Sequence, residues 1–168
     1  SLPVAPNVLD RKFMPSVPNA AWVADITYIS TSEGWLYLAV VIDLYDRAVV
    51  GWSIRPRMTA DIVIDALTMA WFRRRPPTGL LHHSDRGSQY ASQAFQDKLT
   101  EYGMKCSMSR KGNCWDNAVA ESFFSSLKSE FIKKRIYPTR AQAKSEILKC
   151  IEDLYDQRKS PWDNRVRR

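Results

Sequence analysis

Residues 21–44 read AWVADITYISTSEGWLYLAVVIDL, and this stretch predicts the start of a β-sheet. Its first nine residues alternate between two faces, as the residues of a half-buried strand do. The Thr-Ser-Glu-Gly sequence at 31–34 is typical of a turn, and the run at 35–44 is almost continuously apolar, as in a strand buried on both faces. A tight turn then leads to a third strand over 48–54, so we expect a three-stranded antiparallel meander.

The period of the apolar residues changes after the third strand from two to helical spacing. Ile62, Ala66 and Ala70 lie on one stripe of a predicted helix that ends at an arginine run and two prolines. The later elements are, in order, a strand at 80–83, a helix at 92–102, a strand at 104–108 and helices at 116–134 and 140–155. Strand–helix–strand connections favour parallel pairing. The sequence therefore predicts an α/β fold with a five-stranded mixed sheet, order 3-2-1-4-5, flanked by helices on both faces.

Composition and charge narrow the class of protein. The 168 residues are 45% hydrophobic and carry a net charge of +7, which is compatible with one folded domain and a polyanionic partner. Three cysteines without a Cys-x-x-Cys pair, and two adjacent histidines, argue against a disulfide framework and a structural zinc site. We found no signal peptide and no apolar run long enough to span a bilayer, so we expect a cytoplasmic protein without a membrane partner.

The chain divides into three predicted regions. Residues 1–20 contain four prolines and no regular period, which indicates an extended leader or linker. Residues 21–158 form the predicted core, and residues 159–168 form a basic C-terminal tail.

Three acidic residues occupy positions where a carboxylate needs an explanation: Asp25 within a strand, Asp85 after the fourth strand and Glu121 in a helix. Taken one at a time, they fit a solvent-facing strand residue, a turn aspartate and a solvated helix glutamate. If the fourth strand pairs with the first, however, Asp85 lies beside Asp25. Three converging carboxylates repel one another unless divalent cations hold them, and two such ions form a site for phosphodiester chemistry.

The predicted helix that carries Glu121 has further polar residues on the face of Glu121. Asn117 and Ser125 lie one turn before and after Glu121, and Lys128 follows two turns after it, at about 700° of helix rotation. Because magnesium and manganese prefer oxygen ligands, we predict that Asp25, Asp85 and Glu121 bind two Mg²⁺ or Mn²⁺ ions. Three carboxylates and two divalent ions leave one net positive charge, which suits a negatively charged transition state.

At these residues the sequence resembles the catalytic core of DDE transposases and retroviral-type integrases, which share a ribonuclease H-like fold. It is most similar to transposases of bacterial insertion sequences that are made as a frameshifted product of two reading frames. The resemblance runs from about residue 8 to about residue 155 and rests on four motifs: WVADITYI at 22–29, GWLYLAVVIDL at 34–44, HSDRGSQY at 83–90 and RKGNCWDNAVAESFFSSLK at 110–128.

The resemblance implies a function and a set of site residues. It implies that Asp25, Asp85 and Glu121 are the catalytic metal ligands, and that family members hydrolyse a strand at the element end and then join its 3′-hydroxyl to another phosphodiester. The DNA-binding residues that we predict are Lys128, Asn117, Arg110, Lys111 and Tyr90. The expected partners are element-end and target DNA and further copies of the chain, with no small-molecule substrate.

Two alternatives to a strand-transfer enzyme remain at this point. One is a catalytically inactive DNA-binding or assembly fragment of a transposase, and the other is a stand-alone ribonuclease H-like nuclease. Such transposases carry an upstream helix-turn-helix region and a different C-terminal stretch, so we expect this chain to be a catalytic core or fragment.

Overall fold

The computed structural model describes residue 6 and residues 15–109, 117–132 and 135–156. The strands are β1 (Ala21–Thr31), β2 (Gly34–Asp43), β3 (Val49–Arg55), β4 (Leu81–Ser84) and β5 (Lys105–Met108). The helices are α1 (Ala60–Arg74), α2 (Gln93–Glu101), α3 (Ala118–Ser126) and α4 (Arg140–Asp156). A π-helical segment, Leu127–Ile132, follows α3 directly.

The five strands form one mixed sheet in the order β3-β2-β1-β4-β5, which confirms the predicted order. β1 pairs antiparallel with β2, and β2 pairs antiparallel with β3. β4 is parallel to both of its neighbours, β1 and β5. The parallel pairs arise because α1 and α2 return the chain to the same end of the sheet before each new strand.

Helices cover both faces of the sheet. Phe123 and Leu127 pack with Ile147 and Ile151 of α4 on one face. On the other face, α1 and α2 bury a second apolar cluster that includes Trp22, Leu67 and Phe95. β2 contributes alternate residues to both clusters, and this explains why its sequence is continuously apolar. Among the described residues, no helix is long and apolar enough to cross a membrane.

The predicted helix at 116–134 differs from the structure in its length and geometry. Its α-helical part ends at Ser126, and the next six residues form the π-helical segment. A π-helix bonds each residue to the fifth one along instead of the fourth, which rotates the later side chains relative to a continuous α-helix. Lys128 is the second residue of this segment, so its position on the same face as Glu121 stays a prediction. Residues 116, 133 and 134 lie outside the described residues.

The leader bonds to the core where it is described. The backbone N–H of Asn19 donates to Asp43 Oδ2 at 2.9 Å, and Leu81 N–H donates to the Ala20 carbonyl. The Pro6 carbonyl accepts a hydrogen bond from Met108 N–H at 3.2 Å. The boundary predicted at residue 20 thus falls within a segment that contacts the sheet. Residues 1–5 and 7–14 of the leader and the tail at 159–168 lie outside the described residues.

Gly51 allows α1 to approach β3 closely. A Cβ at this position would lie 2.2 Å from the Ala66 carbonyl oxygen, which belongs to the helix backbone. We expect Gly51→Ala to lower the free energy of unfolding by about 3 kcal/mol, because the helix must shift to relieve the overlap. Urea denaturation measures this change. Ser53→Ala, two residues along the same strand and partly exposed, serves as the control and should change stability little; equal loss in both variants would contradict the explanation.

Candidate functional site

The pairing of β1 with β4 brings Asp25 and Asp85 to the same end of the sheet. Val23 lies opposite His83 in this parallel pair, and each acid follows two residues later on its own segment. β4 ends at Ser84, while β1 continues to Thr31. The two carboxylates therefore lie where the pairing of the strands stops, which is the place the strand order predicted.

Each aspartate is held by a short backbone hydrogen bond. The N–H of Ile26 donates to Asp25 Oδ1 at 2.8 Å, and the N–H of Gly87 donates to Asp85 Oδ1 at 2.7 Å. A Cβ at Gly87 would lie 2.8 Å from that same Asp85 oxygen. The loop after β4 thus fits closely around the carboxylate because residue 87 has no side chain.

Asn117 attaches the start of α3 to β1 beside Asp25. It occupies the N-cap position but makes no cap with its side chain. Instead, its Nδ2 donates to the Ala24 carbonyl at 3.4 Å, and the residue is only 6% exposed. Its Oδ1 is buried and has no hydrogen-bond partner among the described residues. Glu121 follows one turn later and is exposed, so its carboxylate projects from the same end of α3.

The three acids share an electrostatic environment. Burial raises the pKa of Asp25 to about 7, against the opposing effect of the Ile26 N–H, and the charges of Asp85 and Glu121 raise it further. These two charges act on Asp25 only because the fold places them near it. Asp85 and Glu121 therefore lie close enough to Asp25 for their charges to act on it.

The oxygen atoms of the three acids and Asn117 fit divalent cations such as Mg²⁺, although these side chains do not lie at the distances of a formed metal site. Within residues 15–109, 117–132 and 135–156, no three His, Cys, Asp or Glu side chains lie together at metal-binding distances. Three carboxylates and the unpartnered Asn117 Oδ1 supply only oxygen atoms, which Mg²⁺ and Mn²⁺ prefer. Because Glu121 is exposed, its side chain can change rotamer without repacking the core.

Lys128 lies beside an aromatic pair on the β1–β2 hairpin. Its Nζ is 5.2 Å from the centre of the Tyr28 ring, and the Tyr28 and Trp35 rings meet edge to face with centroids 4.9 Å apart. Partial burial lowers the pKa of Lys128. Among the described side chains, no carboxylate forms an ion pair with Lys128.

Tyr90 is a core residue, and the prediction of a DNA contact at this position is wrong. It is 1% exposed and packs against Phe95 and His82. Its hydroxyl is buried without a hydrogen-bond partner among the described residues, and burial together with the charges of Asp25 and Asp85 raises its pKa well above the ordinary value. The motif HSDRGSQY thus places the phenol beneath the acids, where DNA cannot reach it.

Other residues considered from the sequence have structural roles or lie outside the described region. His83 Nδ1 is 2.8 Å from Ser107 Oγ on the neighbouring strand, so His83 bonds across β4 and β5. Asp43 is fully buried and accepts hydrogen bonds from the N–H groups of Asn19 and Tyr45. Arg110 and Lys111 fall outside the described residues.

Strand periodicity alone did not indicate that Tyr28 and Trp35 lie together at the surface beside Lys128. Strand periodicity assigned Tyr28 to an apolar face, and Trp35 opens a buried strand. The available signal was the position of both residues close to the 31–34 turn, where a hairpin extends beyond its neighbouring strands. Exposures of 56% for Tyr28 and 49% for Trp35 show that neither is buried.

Comparison with protein families gives two matches along the chain. A family model described as Integrase core domain matches residues 15–114, and a second model of the same description matches residues 102–160. Transposase InsF for insertion sequence IS3A of Escherichia coli (strain K12) is 49% identical over 162 residues, which cover 96% of this chain and 56% of InsF. The insertion element IS600 uncharacterized 31 kDa protein of Shigella sonnei is 47% identical over 159 residues, which cover 95% of this chain and 58% of that protein.

Solved structures that align with this chain include retroviral integrase cores. The HTLV-2 integrase catalytic core domain in complex with magnesium, in its dimeric form, aligns with a TM-score of 0.68 and 23% identity over 87% of this chain and 92% of that one. The catalytic core domain of BIV integrase aligns with a TM-score of 0.62 and 16% identity over 84% of this chain and 87% of that one. These alignments confirm the ribonuclease H-like fold.

The chain spans 56% of the length of the InsF transposases that it matches. The first family match covers more than half of the chain, and the sheet order, the positions of the three acids and the bacterial relatives are consistent with it. The chain therefore belongs to the integrase core domain family.

Proposed function

We propose that this chain catalyses DNA strand transfer as the core of a bacterial insertion-sequence transposase. The observation that carries the proposal is the parallel register of β1 and β4, which places Asp25 beside Asp85 at the point where Asn117 attaches α3 to Ala24. The similarity to InsF transposases supports DNA as the substrate. It also supports the expectation of a cytoplasmic place of action, because that is where bacterial DNA lies.

The three acids are the proposed ligands of two Mg²⁺ or Mn²⁺ ions. Ions bound there would lower the pKa of an attacking water or 3′-hydroxyl and stabilise the leaving oxygen. The chain's own contribution is to position the ligands: Ile26 and Gly87 orient the two aspartates through their N–H groups. Asn117 fixes the end of α3 from which Glu121 projects. The HTLV-2 core that shares this fold was solved with magnesium.

The positive side chains are proposed to hold the DNA. Lys128, with Arg110 and Lys111, would contact phosphates, and Asn117 would contact the strand near the reacting phosphate. The net charge of +7 supports a polyanionic partner. We further propose that the chain acts as a homo-oligomer on DNA, as the dimeric form of the HTLV-2 core suggests.

One assay tests the proposal against the two alternatives. The protein is incubated with Mg²⁺ or Mn²⁺ and a labelled duplex that carries an insertion-element end. We expect strand nicking and joined products that disappear in Glu121→Gln. DNA binding without any nicking would instead support an inactive assembly fragment, and cleavage of RNA–DNA hybrids alone would support a stand-alone nuclease.

Lys128 should contribute to DNA affinity through its charge. We expect Lys128→Gln to weaken binding of any DNA sequence and to reduce the slope of log K against log salt by about one unit, because one phosphate contact is lost. Fluorescence anisotropy at several salt concentrations measures both effects. Lys144→Gln, which removes an exposed lysine from α4, is the matched control; an equal change of slope in the two variants would show that Lys128 has no special contact.

A further inference from the structure

A groove lies between the β1–β2 hairpin and the π-helical segment. It encloses about 220 Å³ and is lined chiefly by Tyr28, Trp35, Lys128, Ile132, Arg135 and Ile136. Three of these are large hydrophobic residues that face solvent, with exposures of 56% for Tyr28, 49% for Trp35 and 67% for Ile136. Exposed apolar side chains grouped at one place and bordered by charged ones mark a binding surface.

The chemistry of the groove combines flat aromatic surface with positive charge. Tyr28 and Trp35 are in edge-to-face contact, and the Lys128 ammonium lies 5.2 Å from the centre of the Tyr28 ring. Arg135 pairs with Glu146 at 3.7 Å, but the side chains are 56% and 47% exposed. A pair this exposed contributes little stability, so Arg135 can exchange Glu146 for an incoming anion. Aromatic rings beside cations are the pattern that binds unpaired nucleotides, by stacking the base and neutralising the phosphate.

We propose that this groove binds one unpaired nucleobase of the DNA strand whose end lies at Asp25, Asp85 and Glu121. The proposal rests on the proposed function, because it takes the bound polymer to be DNA. The groove is smaller than the roughly 300 Å³ of a typical drug-sized pocket, so it has room for a single base and not for a duplex. Its two cations favour a polyanion over an apolar peptide or a second copy of this basic chain.

Two independent paths along the chain give the distance from the acids to the groove. Tyr28 lies three residues beyond Asp25 on β1, which corresponds to about 10 Å along the strand. Lys128 lies seven residues beyond Glu121, which corresponds to about 10 Å along the helix. Successive nucleotides of a stacked strand advance by about 3.4 Å along the strand axis. The bound base should therefore be about three nucleotides from the reacting phosphate.

The π-helical segment is a second observation at the same place. It begins at Leu127, directly before Lys128, and its last residue, Ile132, lines the groove. π-helical turns are frequently found at functional sites. Here the segment carries the lysine that lies over Tyr28, and it forms one wall of the groove.

Base stacking can be measured without catalysis. The probes are two duplexes of one sequence, one fully paired and one with about four mismatched pairs at the end, each carrying the fluorescent base 2-aminopurine at successive positions. Binding to the 168-residue chain is measured at low salt with EDTA. We expect quenching of 2-aminopurine about three positions from the mismatched end. Trp35→Ala and Tyr28→Ala should weaken binding of the mismatched duplex at least about fivefold, since stacking contributes roughly this much or more per base.

A matched variant separates stacking from general loss of aromatic surface. Tyr45 has the same 49% exposure as Trp35 but lies beyond the opposite end of β2. Tyr45→Ala should bind both duplexes as wild type does, and Trp35→Phe should retain most of the preference for the mismatched duplex. Thermal melting of each variant verifies its fold.

The results distinguish this proposal from the proposed function. If wild type binds both duplexes and the Trp35 and Tyr28 variants weaken neither, or weaken both equally, the stacking site is wrong while DNA binding stands. If wild type binds neither duplex, both proposals fail. Position-dependent quenching that disappears in Trp35→Ala, with the paired duplex unaffected, supports the stacking site.

Discussion

Asp25→Asn should make the folded chain more stable at pH 8 while abolishing its metal-dependent activity. The native fold holds the Asp25 carboxylate partly buried, near the charges of Asp85 and Glu121, and these conditions raise its pKa to about 7. An asparagine has no charge to bury, and its side-chain oxygen can still accept the Ile26 N–H. Because the amide is a poorer ligand for a divalent cation, we expect activity to fall by at least about a thousandfold.

The sign of the stability change follows from proton binding. An unfolded Asp25 ionises near 3.8, whereas the folded one keeps its proton up to about pH 7. Between these values the native state binds more protons, so the free energy of unfolding falls as pH rises. Above about pH 7, the folded Asp25 is ionised as well, and the loss of unfolding free energy reaches its full size. Allowing for screening by water, we expect Asp25→Asn to recover roughly 2 kcal/mol at pH 8, or about 4–8 °C in Tm, and nothing at pH 3.

Glu121→Gln provides the comparison within the same site. It removes a charge from an exposed position and so relieves only part of the repulsion on Asp25. We expect the same loss of activity but a much smaller gain in Tm. Differential scanning calorimetry at pH 3 and pH 8 measures the Tm of wild type, Asp25→Asn and Glu121→Gln. A lower Tm of Asp25→Asn than of wild type at pH 8 would contradict the prediction, because it would show that the ionised carboxylate stabilises the fold.

Divalent cations should raise the Tm of the wild-type chain in the absence of DNA. An ion that binds only the folded state, at a free concentration of 100 times its Kd, stabilises by about 2.7 kcal/mol, or roughly 5–10 °C for a chain of this size. The physical source is the relief of repulsion among Asp25, Asp85 and Glu121. Melting curves with Mn²⁺ or Mg²⁺, compared with NaCl at the same ionic strength, measure the shift.

The same shift should depend on pH in a defined direction. Asp25 must lose its proton to bind a cation, and at pH 6 a group of pKa about 7 is ionised in only about a tenth of the molecules. The apparent affinity for Mn²⁺ should therefore rise about tenfold from pH 6 to pH 8. Asp25→Asn should show a small shift that does not change with pH. A shift of the same size in wild type and variant would place the bound ion elsewhere on the protein.

Most of the fold could be predicted because it depends on local patterns. The alternation along 21–29, the apolar run of β2 and the helical spacing in α1 each reflect which side chains an element must bury. The order of the strands followed from the lengths of the connections. Short turns join antiparallel neighbours, whereas a connection through a helix favours parallel pairing. The same reasoning placed Asp85 beside Asp25, since acids two residues past paired positions lie at one end of the sheet.

The remaining features depend on contacts between segments distant in the chain. Tyr90 is part of a motif next to Asp85, yet the packing of Phe95 and His82 around it turns the phenol into the core. The change from α- to π-helix at Leu127 has no signal in the pattern of apolar residues, because Leu127 and Ile132 are buried in either geometry. Lys128, which lies over Tyr28, is the second residue of that segment.

The sequence by itself determined the order of the strands and most of the helices, and it singled out the three acids as candidates, because periodicity and spacing are properties of the chain alone. Only the tertiary structure decided the surroundings of those acids. It attached α3 through Asn117 to Ala24, raised the pKa of Asp25 by burial and nearby charge, and placed Lys128 over Tyr28 beside Trp35. Burial and charge interactions depend on distances through space, which the order of residues does not specify.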